Sequence, residues 1–190
     1  ARSYIMADAV DGIIYAFGGD TFDGASLIAQ TMAEQMAPAA GTWNDAAVAD
    51  LPLAGDEGRA FGFDTDSGYE LAGQIILATM AQWSGASAEV VSYDVASNTY
   101  DTSFPDLINA RRNHAGALVP ICTDDDPADG LPGMWVIGGY LTGDNPPYAP
   151  TEFYPLACAV ADPPVASFTA DPTEGCQPLT VDFTDTSSNS

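Results

Sequence analysis

Lysine is absent from this 190-residue sequence, histidine occurs once and arginine is scarce, with 4 basic residues against 27 acidic ones and a formal net charge of −23. A chain so poor in cations has little with which to displace the counterions condensed on a phosphate backbone, which argues against nucleic-acid binding. Anionic membrane surfaces are disfavoured for the same reason, and no apolar run approaches the roughly 20 residues of a membrane-spanning helix, so no membrane insertion is expected. Partners of positive charge stay open: divalent cations, cationic peptides, or a basic patch on an assembly partner. The plainer account of the acid is a set of solvated carboxylates in turns that keep an extracellular protein soluble.

Cysteine is nearly as rare. Cys122, Cys158 and Cys176 form no Cys-x-x-Cys pair, and with His114 as the one histidine they do not make up a structural zinc set. Cys122 follows one strand-like run and Cys158 ends another in the same repeat, where a disulfide would staple it in an oxidising compartment; the alternative is two buried thiols, with Cys176 left over in either case. There is no Gly-x-Ser-x-Gly elbow, which removes the commonest signature of a serine hydrolase. A glycosidase needs only two well-separated carboxylates, so the abundance of acid leaves that chemistry open without pointing to it.

Helical periodicity is also wanting. Residues 27–36, rich in Ala, Gln, Met and Leu, form the one window that reads as a helix. Elsewhere β-branched and aromatic runs are cut by turn residues, as at Asp11-Gly12, Gly18-Gly19-Asp20 and Asp144-Asn145-Pro146-Pro147, which predicts an all-β chain.

What is present is a pattern repeated three times. Arg2-Ser3-Tyr4 precedes a run ending in Gly18-Gly19 and, later, Trp43 after Gly41-Thr42; Arg112-Asn113-His114 precedes a run ending in Gly138-Gly139. Between them a worn copy has Arg59-Ala60-Phe61, a run ending in Ala78-Thr79, then Tyr93-Asp94, and Tyr100 after Asn98-Thr99. The pattern resembles Kelch repeats, whose di-glycine, Tyr-Asp strand and late aromatic match Gly18, Gly19, Gly138, Gly139, Tyr93, Trp43 and, with tyrosine in place of tryptophan, Tyr100. The resemblance implies β-propeller blades over about residues 1–53, 54–105 and 106–157, with the aromatics filling the space between blades. Three blades fall short of the roughly four to eight that close a propeller, so further blades are expected from a longer polypeptide or from other subunits.

After a stiff stretch at 158–163 containing Asp162-Pro163-Pro164, residues 164–190 change character. Ala166-Ser167-Phe168 with Asp171-Pro172, and Gly175-Cys176 with Pro178-Leu179-Thr180-Val181 and Phe183, are similar to the opening of a PKD (polycystic-kidney-disease) repeat. That resemblance implies the first strands of an immunoglobulin-like β-sandwich, a module of secreted and cell-surface proteins.

Two acidic loops are calcium candidates: Asp64, Asp66 and Glu70 around Gly68, and the run Asp124, Asp125, Asp126 beside Cys122. The alternative for both is a solvated turn in which aspartate bonds its own backbone. Copper-radical oxidases share the Kelch fold, but their metal needs two histidines, and His114 is expected to be structural. Together these features point to a non-catalytic extracellular or cell-surface protein with no required cofactor. Its blades would bind a protein or surface glycan, and its PKD-like module would act as spacer or docking element. The competing expectations are a piece of a secreted carbohydrate-active enzyme or oxidase with its catalytic residues elsewhere, and a subunit of an envelope layer, filament or larger surface complex.

Overall fold

Short apolar runs bounded by glycine, aspartate and asparagine turns become antiparallel strands throughout the chain. The structure, a computed structural model, describes residues 1–83, 85–119, 133–141, 147–157, 167–175, 178 and 180–187. Among them there is no helix, and the chain is all-β. It divides into two compact units, Ala1–Cys158 and Ala159–Ser190.

The first unit carries three principal sheets. β1 (Met6–Val10) and β2 (Ile13–Phe17) form a hairpin, and β5 (Ala33–Met36) adds to the far edge of β2. The hairpin turns on Asp11 and Gly12, both at positive φ (50° and 76°), the geometry that matches the twist of a two-residue hairpin. A side ribbon pairs β3 (Asp20–Phe22) with β4 (Leu27–Ala29). The second sheet is a four-stranded meander of β6 (Arg59–Gly62), β7 (Gln74–Ala78), β8 (Val90–Asp94) and β9 (Thr99–Asp101). The third contains β10 (Ala115–Val119), β11 (Gly133–Ile137) and β12 (Thr151–Pro155). In the second unit, β13 (Phe168–Asp171) pairs with β14 (Asp182–Asp185), and Phe168 and Phe183 pack ring against ring at 5.6 Å.

The helix expected over residues 27–36 does not form. Its first part is β4, paired to β3, and its last part is β5, paired to β2. Ladder bonds to β3 and β2 override the propensity of Ala, Gln and Met, which is only a few tenths of a kcal/mol per residue.

Alternation along the strands gives each sheet two faces, and the core lies between sheets rather than within one. Tyr15 and Phe17 of the first sheet meet Ile75, Leu77, Val91 and Tyr93 of the second. Ile76, Ala78, Phe61 and Val90, on the opposite face of the second sheet, meet Met134, Val136, Leu118 and Tyr154 of the third. The hairpin strands β1, β6 and β10 lie side by side across the stack, β6 contacting both of the others. Gly62 permits part of that approach, since a Cβ there would stand 2.3 Å from the Ala9 carbonyl oxygen.

Candidate functional site

The three sheets begin in the same way, and the shared construction assembles a buried charged seam. Ser3 and Asp20, then Arg112 and Tyr140, exchange pairs of backbone hydrogen bonds, and Asp56 N–H donates to the Ala81 carbonyl. Ser3, Asp56 and Arg112 are therefore equivalent, and so are the residues that follow them: Tyr4, Glu57 and Asn113, all left-handed at φ 52°, 56° and 48°. Where β2, β7 and β11 end, Gly18, Thr79 and Gly138 are likewise equivalent, at φ 58°, 66° and 64°.

This register corrects the sequence alignment of the middle and third copies; in the third, Arg112 is the counterpart of Ser3, and Arg111 that of Arg2. Arg59 is not the counterpart of Arg2; it pairs with Ala78 as Met6 pairs with Phe17 and Ala115 with Ile137, so Gly55 holds the position of Arg2 and Arg111. In the two outer copies that arginine makes one set of bonds. Arg2 donates to the Gly18 carbonyl at 2.5 Å and pairs with Glu34; Arg111 donates to the Gly138 carbonyl at 3.0 Å and pairs with Glu152.

A row of backbone bonds joins the equivalent left-handed residues across the sheets. Glu57 N–H donates to the Tyr4 carbonyl at 3.2 Å, and Asn113 N–H donates to the Glu57 carbonyl at 2.9 Å. Around this row sit Asp20, Asp56, Glu57 and Arg112, each at most 1% exposed. Ser3 Oγ donates to Asp20, and Arg112 Nη1 donates to Glu57 Oε2 at 2.6 Å. The Arg112 guanidinium also lies over the Trp83 ring at 4.8 Å and the Tyr140 ring at 5.8 Å, a favourable arrangement for a desolvated cation. Burial, and then the charges of Glu57 and Asp20, push the Asp56 carboxyl up to about 7 against the opposing pull of a Trp83 backbone bond and Arg112. Near neutral pH this carboxyl sits between its two protonation states.

His114, equivalent to Ile5, is 1% exposed. Its Nδ1 lies 3.0 Å from the Ala115 carbonyl, and its Nε2 lies 3.2 Å from the Ala78 carbonyl and 3.3 Å from the Thr79 hydroxyl. Burial holds its pKa below the ordinary histidine value, with Arg59 and Arg111 adding to the effect and the two carbonyls opposing it. The ring is a neutral packing and hydrogen-bonding element.

Between the second and third sheets the core opens into an apolar cleft of about 360 Å³, lined by Phe61, Ile76, Met134, Val136 and Tyr154 with Ile108 at its lip. Ile108 is 88% exposed. Glu152, also on the lining, is fully engaged: it accepts from the Ile108 and Asn109 amides, the Asn109 side chain and Arg111. Burial alone would raise its pKa, but these donors outweigh burial and the net direction is down.

The residues singled out from sequence fall as follows. Gly18-Gly19 and Gly138-Gly139 all lie at positive φ, and a Cβ on Gly18 would stand 2.0 Å from the Gly55 carbonyl oxygen. Tyr93 is buried, and its hydroxyl donates to Asn98 at 2.8 Å; half-buried Tyr100 donates to the Ala49 carbonyl at 2.6 Å. Trp43 is 46% exposed and does not fill an inter-sheet space; its neighbour Asn44 pairs with Gln35 at the edge of the first sheet. Asp64, Asp66 and Glu70 are exposed; Asp64 accepts from the Asp11 amide at 2.6 Å, and Asp11 accepts from the Thr65 amide at 3.0 Å, which interlocks the two hairpin turns. Among the described residues no three His, Cys, Asp or Glu side chains converge as a metal site would require. Asp124, Asp125, Asp126, Cys122 and Cys158 lie outside the described residues.

The seam residues Asp20, Asp56, Glu57, Trp83 and Arg112 were not visible as a site from the sequence. One signal pointed there: two of only four cations are adjacent, at Arg111-Arg112, in a chain whose acids have few partners. The arrangement stores charge and spans sheets, yet it presents no open face to a substrate, since its carboxylates are at most 1% exposed. No family model matches this chain, and no curated protein matches it.

Proposed function

We propose that this chain is a non-catalytic binding and architectural protein of the cell surface or extracellular space, built on Kelch-type propeller blades with a PKD-like module as spacer or docking element. One observation carries the reading. The three sheets repeat the same entry, from the left-handed residues Tyr4, Glu57 and Asn113 to the sheet-ending turns at Gly18, Thr79 and Gly138, and they stack through alternate faces with β1, β6 and β10 adjacent. This repetition supports the reading, because successive propeller blades stack face to face in the same way.

The buried charges serve this architecture. Arg2, Arg111 and Arg112 are spent on carbonyls and carboxylates inside the stack, so the surface is left almost purely acidic, as suits a soluble scaffold that meets basic partners. The apolar cleft beside Ile108 suits an inserted apolar side chain of a protein partner better than a hydroxyl-rich glycan.

The test is to assay the chain on carbohydrate and alcohol substrates alongside capture of surface proteins and glycans on an array. Saturable binding without turnover is expected. Saturable hydrolysis or oxidation that disappears on changing one carboxylate would overturn the reading.

A further inference from the structure

We propose that one face of the second sheet is a peptide site, in which an apolar cleft and an adjoining acidic pocket take an extended segment with a large apolar side chain and basic side chains two and four residues along from it. This names the partner for the binding role proposed above and rests on that role.

The register puts both pockets on one surface. Across β7, β8 and β9, Ala78 stands opposite Val90, Ile76 opposite Ser92 and then Asp101, and Gln74 opposite Asp94 and then Thr99. Directly opposed residues share a face, and so do alternate residues of one strand. All of these side chains therefore belong to the face that meets the third sheet. Its apolar end, Ile76, Ala78 and Val90, is one wall of the cleft of about 360 Å³ already described. Its polar end, Gln74, Ser92, Asp94, Thr99 and Asp101, lines a second pocket of about 210 Å³. At about 3.3 Å per residue, the level of Asp101 lies about 7 Å from Val90 along the strands and that of Asp94 about 13 Å.

The acidic pocket is built from carboxylates held in place. Asp94 Oδ1 accepts from the amide and the hydroxyl of Ser97, and Asp101 Oδ1 from the amide and the hydroxyl of Ser103, all at 2.7 Å. The Ser97 amide and then its hydroxyl hold the Asp94 carboxyl below the ordinary aspartate range; the Ser103 hydroxyl and then its amide do the same for Asp101. Both groups are thus ionised at neutral pH, and neither Oδ2 has a partner among the described residues.

Charge selects the occupant. Of the chain's 4 cations, Arg111 and Arg112 are fully buried, Arg2 is paired with Glu34, and half-buried Arg59 donates to the Gly58 carbonyl. A second copy of this chain therefore brings no free cation to the two aspartates and is repelled by them, whereas a basic segment is attracted. A glycan has hydroxyls for the acidic pocket and nothing for the apolar one. In an extended segment, side chains on one face recur every two residues, which is the step from the cleft to Asp101 and from there to Asp94. Ile108, exposed at the lip of the cleft, adds apolar surface beside the anchoring side chain.

The probes are a fluorescein-labelled peptide, Gly-Leu-Ser-Arg-Ser-Arg-Gly, and the same residues in reverse order, each titrated against the 190-residue chain by fluorescence anisotropy at low ionic strength. Saturable binding of one order is expected, weakened about tenfold by serine in place of the peptide's leucine and about tenfold by Asp94→Asn with Asp101→Asn in the protein. Asparagine still accepts the serine bonds, so the fold is kept, and circular dichroism checks that it is. The control pair Asp23→Asn with Asp45→Asn, exposed aspartates from the connections around the first sheet, removes the same charge and should leave the affinity unchanged. Binding that survives loss of the leucine, or that falls equally with both pairs of aspartates, is attraction to the net charge and overturns the site. Absence of binding overturns it too, while capture of another protein or glycan on the array leaves the scaffold role standing.

Discussion

Arg112 Nη1 and Glu57 Oε2 lie 2.6 Å apart with both side chains fully excluded from solvent, and the bond ties the entrance of the third sheet to that of the second. Removing one partner of such a pair strands a buried charge, which costs far more than the pair contributes when intact. Glu57→Gln is expected to destabilise the fold by about 3–5 kcal/mol in urea unfolding. The double variant Glu57→Gln with Arg112→Met should lose less than the sum of the singles, because both singles remove the same interaction. Additive losses would show that the two residues act independently.

Asp56 gives the fold a pH dependence of definite sign. Its folded pKa of about 7 lies above the ordinary carboxyl value of 3.8, so the native state holds a proton that the unfolded chain has released. Its contribution is therefore fully present below about pH 4 and is lost as pH rises through about 7. Asp56→Asn, which keeps a neutral side chain at every pH, should flatten the fall in Tm between pH 5 and 8 relative to the parent. An unchanged slope would place the titrating group elsewhere.

Gly18 and Gly24 separate backbone strain from collision. Both have positive φ, but a Cβ on Gly24 meets nothing within 4 Å, whereas one on Gly18 meets the Gly55 carbonyl oxygen at 2.0 Å. Gly24→Ala should cost about 1–2 kcal/mol. Gly18→Ala must also move the backbone of the next sheet's entry and should cost clearly more, or abolish folding; equal losses would mean the seam gives way easily.

Two aromatic positions that look alike in sequence should differ in the same unfolding assay. Trp43→Ala removes an exposed ring and should change stability by less than about 0.5 kcal/mol. Tyr93→Ala empties a site packed against Tyr15, Phe17 and Tyr100 and should cost about 3–5 kcal/mol.

The all-β class was legible because turn residues and β-branched runs act locally: Asp11-Gly12 makes its hairpin whatever surrounds it. Residues 27–36 misled because their helix propensity is local while their fate is not. Their partners are β2 and β3, and the pairing with them is visible only in the fold. The alignment of the middle copy slipped for a related reason. Arg59 looked like Arg2 by residue type, and only the ladder from Arg59 to Ala78 revealed that Gly55 occupies the equivalent place.

By itself, then, the sequence determined the all-β class, the Asp11-Gly12 hairpin turn and an acidic chain with almost no cations, since these depend on composition and on neighbours within a few residues. The tertiary structure alone decided that Asp20, Asp56, Glu57 and Arg112 share one buried seam and that Trp43 faces solvent while Tyr93 does not. Burial and charge pairing are properties of residues brought together across the stack, as Arg112 meets Glu57 over 55 positions of chain, and no local pattern encodes that meeting.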